Sequence, residues 1–332
     1  MSHASGISVV VTVFDDRAAL AELLDALALQ TRAPDEVVVV DAGSTDGTRE
    51  LLEERRGTMP LRVLLEPGVN ISAGRNAGIR AASYEWIAVT DAGCRPDPNW
   101  LEAIDAARAD AEFVAGVYRV DGDSPFEQAL ADALYPAPEE IEKSSPAVSA
   151  WQRVFGKRFD VASATGRSMA FTRDVWQRAG GFPEELYAGE DVAFSRAAVN
   201  AAATSTLAPG AAVAWRPRPT WAANARMYRT YARGDVRRGS VVTHALRAGA
   251  WLGVLALALL GGRAGRLLAI GWLAAYASVP LVRGRARGHG AAVTWRMPFV
   301  IAMKDLSQIA GAALGLFDRA RDVPQPVPKR RT

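Results

Sequence analysis

The chain has 332 residues, enough for one large domain or two smaller ones, and 49% of them are hydrophobic, so a substantial core can form. Its single cysteine, Cys94, excludes an internal disulfide framework and, with only three histidines elsewhere, is a poor basis for a metal site. Residues 1–220 carry 21 basic and 32 acidic side chains, whereas residues 221–332 carry 18 and 4. Basic clusters beside apolar runs suit an anionic membrane surface, and no aromatic-and-basic strand pattern indicates nucleic-acid binding.

Apolar strands alternate with amphipathic helices along the first 120 residues. The apolar character begins almost at once, at Ile7, so no signal peptide is expected before it. The alternation predicts an α/β fold, a Rossmann-like, mostly parallel sheet flanked by helices. The predicted strands cover residues 7–14, 36–40, 61–65, 86–90 and 113–120, with helices at 17–29, 48–56, 75–82 and 99–109.

The middle of the chain is less regular. Residues 121–160 are rich in proline, serine and charge, which predicts a mobile segment over the site with an amphipathic piece near Trp151–Phe155. A strand and helix over 170–179, a helix over 192–202 and a strand over 211–215 complete the first predicted domain, residues 1–220.

Residues 221–320 predict a helical, membrane-associated region. The apolar runs 248–260 and 267–282 are each shorter than the roughly 20 residues of a straight membrane span. Flanking residues extend both runs, so we expect a tight transmembrane hairpin; a pair of helices lying in the interface and a soluble bundle remain open. Residues 298–317 contain Lys304 and Asp305 and predict an interfacial helix.

The charges around the hairpin predict its orientation. Basic residues precede and follow it, which favours a cytoplasmic position for both ends, although Arg263 and Arg266 in the turn weaken this bias. The tail over 321–332 is basic and proline-rich and is predicted to be disordered.

Polar motifs follow two of the predicted strands and open one predicted helix. Asp41-Ala-Gly-Ser-Thr-Asp-Gly-Thr48 and Asp91-Ala-Gly-Cys-Arg-Pro96 come directly after strands, and Gly180-Gly-Phe-Pro183 is followed by Gly189-Glu-Asp191. Because open α/β sheets bind ligands at the carboxyl ends of their strands, we expect these carboxylates to share a site.

The order and spacing of these motifs, with Gly74-Arg-Asn-Ala-Gly78 between the first two, resemble the family-2 glycosyltransferases of GT-A fold. The resemblance covers about residues 7–218, and the C-terminal region is similar to that of membrane-associated members. It implies a nucleotide-diphosphate sugar as donor and an inverting transfer to a hydroxyl group. The membrane-like C-terminus points to a lipid-linked or cell-envelope glycan as acceptor, in polysaccharide biosynthesis at the cell membrane.

The resemblance implies a donor site at the ends of the first strands. Thr12, Phe14 and Asp15 are candidates for nucleoside contacts, and Asp41 matches the family position that binds the base or ribose. A turn-capping role for Asp41 and Asp46 is the alternative. Arg75 is expected either to touch the diphosphate or to orient Asp91, and a plain surface arginine is the remaining interpretation.

Asp91 matches the family's metal position. Most members have Asp-x-Asp there, but Gly93 replaces the second carboxylate, so Mg²⁺ or Mn²⁺ binding is expected to be weak or dispensable. Arg95, Arg216 or Arg218 could then supply the positive charge at the diphosphate.

Glu190 and Asp191 match the acidic pair whose aspartate is the family's general base. Asp191 opens a predicted helix, where the dipole favours its ionised form. Gly166, Arg167 and Phe182 are expected on the acceptor side. The rival class is a catalytically idle, membrane-anchored nucleotide-sugar-binding protein. A nucleotidyltransferase would show a Gly-rich, basic phosphate loop after the first strand, and a dehydrogenase a GxGxxG there; neither is present.

Overall fold

A computed structural model of the chain describes residues 6–136, 140–141, 146–157, 159–186, 188–237, 239 and 241–321. Among them, two compact units can be distinguished. We call the first, residues up to 119 together with 159–215, the sheet unit, and the second, residues 120–158 together with those from 216 onward, the helical unit. The helical unit thus includes an insertion that the predicted division at residue 220 did not assign to it.

The sheet unit is built on an eight-stranded sheet of order β3-β2-β1-β4-β7-β6-β8-β5. Parallel pairing joins β1 to β2 and β4, and β2 to β3, whereas β7 is antiparallel to both β4 and β6, and β5 to β8. The predicted α/β architecture is confirmed, but the sheet is mixed rather than mostly parallel. The strands are β1 Ile7–Val13, β2 Glu36–Asp41, β3 Leu61–Leu65, β4 Trp86–Val89, β5 Cys94–Pro96, β6 Phe113–Val120, β7 Met169–Thr172 and β8 Ser205–Trp215.

The helices of the sheet unit are α1 Arg17–Ala28, α2 Thr48–Arg55, α3 Ile71–Ala81, α4 Trp100–Ala107, α7 Arg173–Arg178 and α8 Glu190–Ala201. Helix α3 begins at Asn70, whose side chain accepts a hydrogen bond from the Ala73 N–H. A Cβ at Gly78 would lie 2.6 Å from Val10 Cγ1, so this glycine allows α3 to lie close against β1. The close approach brings the α3 side chains to the edge of the sheet where β4 ends.

The antiparallel strand β7 brings distant residues to that same edge. Met169 at its start is opposite Val89 at the end of β4, so residues just before β7 lie beside the Asp91 turn. The Gly116 N–H of β6 donates to the Ser168 carbonyl at 3.1 Å, which extends the edge to the end of β6. This edge carries the site described below.

The described residues of the segment 120–158 include two helices. Helix α5 (Pro125–Leu134) starts with a capping box in which Ser124 and Glu127 satisfy each other's backbone N–H groups. Helix α6 (Pro146–Val154) includes the predicted amphipathic piece, and its Trp151 Nε1 donates to the Tyr276 carbonyl at 3.0 Å. Residues 137–139, 142–145 and 158 of this segment lie outside the described part of the chain.

The rest of the helical unit comprises α9 Trp221–Arg237, α10 Val242–Leu260, α11 Gly262–Ala286, α12 Ala291–Thr294 and α13 Met297–Ala320. Three stretches are long and apolar enough to cross a membrane: Val242–Leu260, Gly262–Ala286 and Ala291–Ala320. Helices α10 and α11 meet at Gly261 and correspond to the predicted hairpin, with 19 and 25 residues in place of the shorter apolar runs.

The third stretch differs from the predicted interfacial helix. Its Asp305 and Lys304 are buried within the helical unit, where Asp305 accepts a hydrogen bond from the Tyr276 hydroxyl at 2.6 Å and pairs with Arg247 at 2.9 Å. Charges that suggested a water-facing helix are therefore satisfied internally, and composition permits α13 to span. The predicted disordered tail lies outside the described residues from position 322.

Candidate active site

A buried arginine joins two of the sequence motifs. Arg75 of α3 is 1% exposed; its Nη2 donates to Asp91 Oδ1 at 2.6 Å and its Nη1 to Glu190 Oε1 at 2.9 Å. Burial by itself would lower the pKa of Arg75, but the charges of Asp91, Glu190 and Asp191 raise it, so the guanidinium stays ionised. The bond to Asp91 agrees with one of the two predicted roles of Arg75, that of orienting Asp91. Because Arg75 is buried, the interpretation as a plain surface arginine is wrong.

The space for this guanidinium depends on a glycine. A Cβ at Gly166 would lie 2.1 Å from Arg75 Nη2, so no larger residue fits there without displacing the arginine. The other side of Arg75 faces the ring of Phe182, 5.2 Å from its Cζ. Phe182 is 1% exposed and stacks on Phe194 with ring centroids 4.0 Å apart. Phe182 is thus enclosed in the core, where it supports Arg75, and its predicted place on the acceptor side stays a prediction.

Asp191 lies in the first turn of α8, as predicted, after Gly189 in a left-handed conformation. Its Oδ1 accepts from the Val192 N–H at 2.8 Å and its Oδ2 from the Gly166 N–H at 3.2 Å. Burial raises the pKa of the neighbouring Glu190, the charge of Asp191 raises it further, and Arg75 opposes both. The two carboxylates thus occupy different environments: Glu190 is buried against Arg75, and Asp191 is half-buried on two backbone N–H groups.

At the end of β2, the structure supports the turn-capping alternative. Asp41 is 1% exposed, and its Oδ1 accepts from the N–H groups of Gly43 and Ser44 at 3.1 and 2.8 Å, while Oδ2 pairs with Arg49 Nε at 3.2 Å. Asp46 likewise accepts from the Thr48 hydroxyl at 2.6 Å. These bonds use only part of the accepting capacity of the Asp41 carboxylate, and its predicted nucleoside contact stays a prediction.

The residues at the end of β1 are more accessible. Phe14 is 37% exposed, and Thr12 is half-buried against α3 at Gly74. Asp15 has a left-handed backbone (φ 46°), and its Oδ1 accepts from the Thr45 N–H at 2.6 Å. Asp15 therefore braces the loops after β1 and β2 against each other, and both Phe14 and Asp15 are exposed to solvent.

The predicted basic residues belong to both units. Successive strand residues point to opposite faces, and on β5 Cys94 is buried while Arg95 is half-exposed, 3.9 Å from Glu22 of α1. The role of Arg95 at the diphosphate stays a prediction. Arg216 and Arg218 belong to the helical unit, where Arg216 pairs with Asp123 at 2.8 Å and the Arg218 carbonyl accepts from Asn224; their role at the donor stays a prediction.

The side chains near Asp91 do not fit a divalent cation held by protein alone. In the part of the chain that is described, no three His, Cys, Asp or Glu side chains are grouped to hold a metal. Gly93 offers no ligand, and one oxygen of Asp91 is already bound to Arg75. A hard cation needs about six oxygen ligands, so phosphate and water would have to supply nearly all of them.

Sequence reasoning did not identify the aromatic side of the site. The Arg167 guanidinium lies over two rings, 4.8 Å from the centroid of Tyr118 and 4.4 Å from that of Trp215. Trp215 is opposite Cys94 in the β5–β8 pairing, and Tyr118 is at the end of β6. The antiparallel pairings that bring these residues together have no local sequence signal, although each aromatic falls near the end of a predicted strand.

Comparison with known proteins gives a family. Residues 8–171 match the model described as Glycosyl transferase family 2. Validoxylamine A glucosyltransferase of Streptomyces hygroscopicus subsp. limoneus is 35% identical over 112 residues, 32% of this chain and 25% of that protein. Glycosyltransferase AglE of Haloferax volcanii is 28% identical over 207 residues, 61% of this chain and 64% of the relative. The chain thus spans about a quarter of the first relative and less than two thirds of the second.

Solved structures agree on the fold. The mannosyltransferase PcManGT from Pyrobaculum calidifontis, in complex with GDP-Man and Mn²⁺, superimposes with a TM-score of 0.56 at 19% identity, covering 94% of this chain and 87% of that one. TarS 1–349 of S. aureus, in complex with UDP-GlcNAc, superimposes with a TM-score of 0.51 at 16% identity, covering 96% of this chain and 92% of that one. The match of residues 8–171 identifies this part of the chain as a family-2 glycosyltransferase domain, and the solved structures show its GT-A fold.

Proposed function

We propose that the protein is a membrane-associated, inverting glycosyltransferase that moves a sugar from a nucleotide diphosphate to an acceptor hydroxyl. The observation that carries the proposal is the buried Arg75, which bonds Asp91 at 2.6 Å and Glu190 at 2.9 Å and so fixes the Asp91 turn and the start of α8 together. An ordinary acidic residue at the start of a surface helix would have no such link, through a buried arginine, to the turn after β4. The arrangement presents Asp191 beside the motif expected to face the diphosphate.

Asp191 acts as general base in a single displacement. Its carboxylate takes the proton of the acceptor hydroxyl, and the hydroxyl oxygen forms a bond to the anomeric carbon of the donor sugar. The bond from that carbon to the diphosphate oxygen breaks, and its electron pair leaves with the diphosphate. Attack from the side opposite the leaving group inverts the anomeric configuration.

The comparisons support the proposed donor, and the C-terminal helices support the proposed acceptor. Complexes of fold relatives with GDP-Man and UDP-GlcNAc support a nucleotide-diphosphate sugar as donor. The three helices long enough to span a membrane support an acceptor carried on a lipid or on a cell-envelope glycan. Basic residues on both sides of the α10–α11 hairpin favour a sheet unit that faces the cytoplasm.

The test compares wild type with Asp191→Asn and the control Glu50→Gln in detergent. Glu50 is also a first-turn helix acid, on α2, but it is exposed. We expect wild type and Glu50→Gln to release a nucleoside diphosphate and glycosylate a membrane lipid extract, and Asp191→Asn to lose at least about a hundredfold in rate. Equal rates for Asp191→Asn and wild type would overturn the assigned base.

The same assay addresses the cation. Since the side chains at Asp91 do not complete a divalent site, we expect EDTA to reduce the rate only partly. Complete loss in EDTA with recovery in Mn²⁺ would contradict this expectation. A second candidate function, a catalytically idle nucleotide-sugar-binding protein, is favoured by Gly93; donor binding without turnover in any variant would support it.

A further inference from the structure

Arg167 is held rigidly by two aromatic rings. Its Cζ lies 4.4 Å from the ring centroid of Trp215 and 4.8 Å from that of Tyr118, and the two rings meet edge to face with centroids 6.4 Å apart. Tyr118 in turn packs edge to face on Phe159. Stacking on both rings orients the planar guanidinium, and a guanidinium held in a fixed plane is suited to binding a phosphate.

The backbone places Arg167 at the edge of the sheet that carries the acidic motifs. The preceding residue, Gly166, donates its N–H to Asp191 Oδ2 at 3.2 Å, and Met169 two residues later is opposite Val89 at the end of β4. Trp215, which stacks on Arg167, is opposite Cys94 of the Asp91 motif. The guanidinium is therefore tied from two sides to the segments that hold Asp91 and Asp191.

The charges agree with this placement. Burial and nearby Asp91 together raise the pKa of the Cys94 thiol to about 12, while Arg167 opposes the shift. Burial likewise raises the pKa of Tyr118, with Arg167 opposing and Asp191 adding to the shift. The thiol and the phenol thus both sense Arg167 together with a site carboxylate, which indicates that Arg167 lies within Coulombic reach of that part of the site.

Carboxylates surround Arg75 in the sheet unit, and Arg167 adds a second positive charge near them. Three carboxylates, Asp91, Glu190 and Asp191, surround Arg75, whose two terminal nitrogens are committed to Asp91 and Glu190. A donor diphosphate adds further negative charge that must be stabilised as it leaves. Gly93 provides no second carboxylate to hold a cation there, and Arg95 faces α1.

We propose that Arg167 binds the diphosphate of the donor and stabilises it as the leaving group, in the place where a cation held by a second carboxylate would otherwise act. The inference rests on the proposed transferase function. It moves Arg167 from the predicted acceptor side to the donor side and makes Tyr118 and Trp215 the residues that position it.

The first experiment measures binding of UDP, GDP and inorganic pyrophosphate in EDTA by calorimetry, for wild type, Arg167→Gln and Arg108→Gln. Arg108 is the matched control, because its Cζ also lies over an aromatic ring, 5.9 Å from the ring centroid of Trp86. Trp86 is at the start of β4, so this pair lies at the edge of the sheet opposite Asp91. We expect Arg167→Gln to weaken nucleoside-diphosphate binding about tenfold and Arg108→Gln to leave it unchanged.

The second experiment measures transfer kinetics. We expect Arg167→Gln to lower kcat/KM for the donor about a hundredfold, with the acceptor KM within about twofold of wild type. Arg167→Lys should recover only part of the loss, since a lysine keeps the charge but not the stacked plane. Added guanidinium should partly restore Arg167→Ala, which loss of folding would not permit.

The outcomes separate this inference from the transferase proposal. If wild type transfers sugar but Arg167→Gln binds the donor as wild type does, or changes only the acceptor KM, the role of Arg167 is overturned and the transferase function stands. If Arg167→Gln binds nucleotides more weakly than wild type but wild type itself never transfers sugar, the phosphate contact stands and the transferase function is overturned. Equal weakening in Arg108→Gln would overturn the inference by showing a general structural effect.

Discussion

At the scale of single residues, two glycines at the site are constrained differently. A Cβ at Gly166 would lie 2.1 Å from Arg75 Nη2, whereas a Cβ at Gly93 would meet no atom within 4 Å. We therefore expect Gly166→Ala to displace the arginine that joins Asp91 to Glu190, lower the unfolding free energy by about 1–3 kcal/mol and reduce transfer at least tenfold. Thermal unfolding and donor kinetics measure both effects.

Gly93→Ala is the matched control for this prediction. It adds the same methyl group within the same site and should change neither the melting temperature nor kcat/KM by a measurable amount. If both alanine variants behave like wild type, the Arg75 guanidinium is free to move, and the rigid link between the two acidic motifs is not required.

Glu190 predicts a pH dependence of stability. Burial, then Asp191, raises its pKa above 4.5, the ordinary value for a glutamate, so the folded state holds this proton to higher pH than the unfolded state does. The unfolding free energy must therefore decline as pH rises from about 4.5 through the folded pKa, and this contribution is absent in Glu190→Gln.

The measurement is the melting temperature of wild type and Glu190→Gln from pH 4.5 upward. Loss of the bond to Arg75 lowers the melting temperature of the variant at every pH. The melting temperature of the variant minus that of wild type should nevertheless increase as pH rises. A difference that stays constant across this range would show that Glu190 is ionised throughout, with Arg75 outweighing burial.

At the scale of elements, local patterns predicted what local forces determine. The continuous β-branched runs of β1 and β2 predicted parallel strands, and the apolar run before Asp91 predicted β4 and the position of Asp91 after its end. Strand β5 was missed because three residues, Cys94–Pro96, give no periodic signal, and it exists through its pairing with β8. The sequence did not separate two roles for Asp41, because a turn-capping and a ligand-binding aspartate have the same sequence context.

Helices α9 and α13 of the helical unit pack through glycines. A Cβ at Gly311 would lie 2.2 Å from the Arg229 carbonyl oxygen, and one at Gly315 would lie 2.7 Å from that of Arg233. The same helices are joined by Arg233 and Asp318, with Nη2 to Oδ1 at 2.8 Å. Close backbone approach at small residues is the usual basis of helix packing in an apolar environment.

We expect Gly311→Ala to destabilise the protein in detergent by about 1–3 kcal/mol, because the added methyl would have to separate α9 from α13. Gly271 of α11 is the control: a Cβ there meets nothing within 4 Å, so Gly271→Ala should be neutral or slightly stabilising through helix propensity. Thermal unfolding followed by tryptophan fluorescence compares them, and equal melting temperatures would show that α9 and α13 can separate without cost.

At the scale of the whole molecule, charge and hydropathy divide along the chain, and the predicted boundary at residue 220 follows that division. Residues 120–158 have no such contrast with their neighbours, so the sequence did not show that they pack with the helical unit. The third membrane-length stretch was likewise obscured by Lys304 and Asp305, because composition does not reveal that Arg247 and Tyr276 satisfy Asp305 from neighbouring helices.

The proposed orientation predicts which positions water-soluble reagents reach. If α10 and α11 form a spanning hairpin with both ends in the cytoplasm, Arg263 at its turn faces the outside and Arg285 at its end faces the cytoplasm. Both are exposed in the helical unit, and the natural Cys94 is buried, so wild type provides an unlabelled background. Arg263→Cys should react with an impermeant maleimide on intact cells, and Arg285→Cys only after the membrane is permeabilised. A hairpin lying in the interface would leave Arg263→Cys unlabelled on intact cells. Labelling of Arg285→Cys on intact cells would place the sheet unit on the outer side of the membrane, away from a cytoplasmic donor.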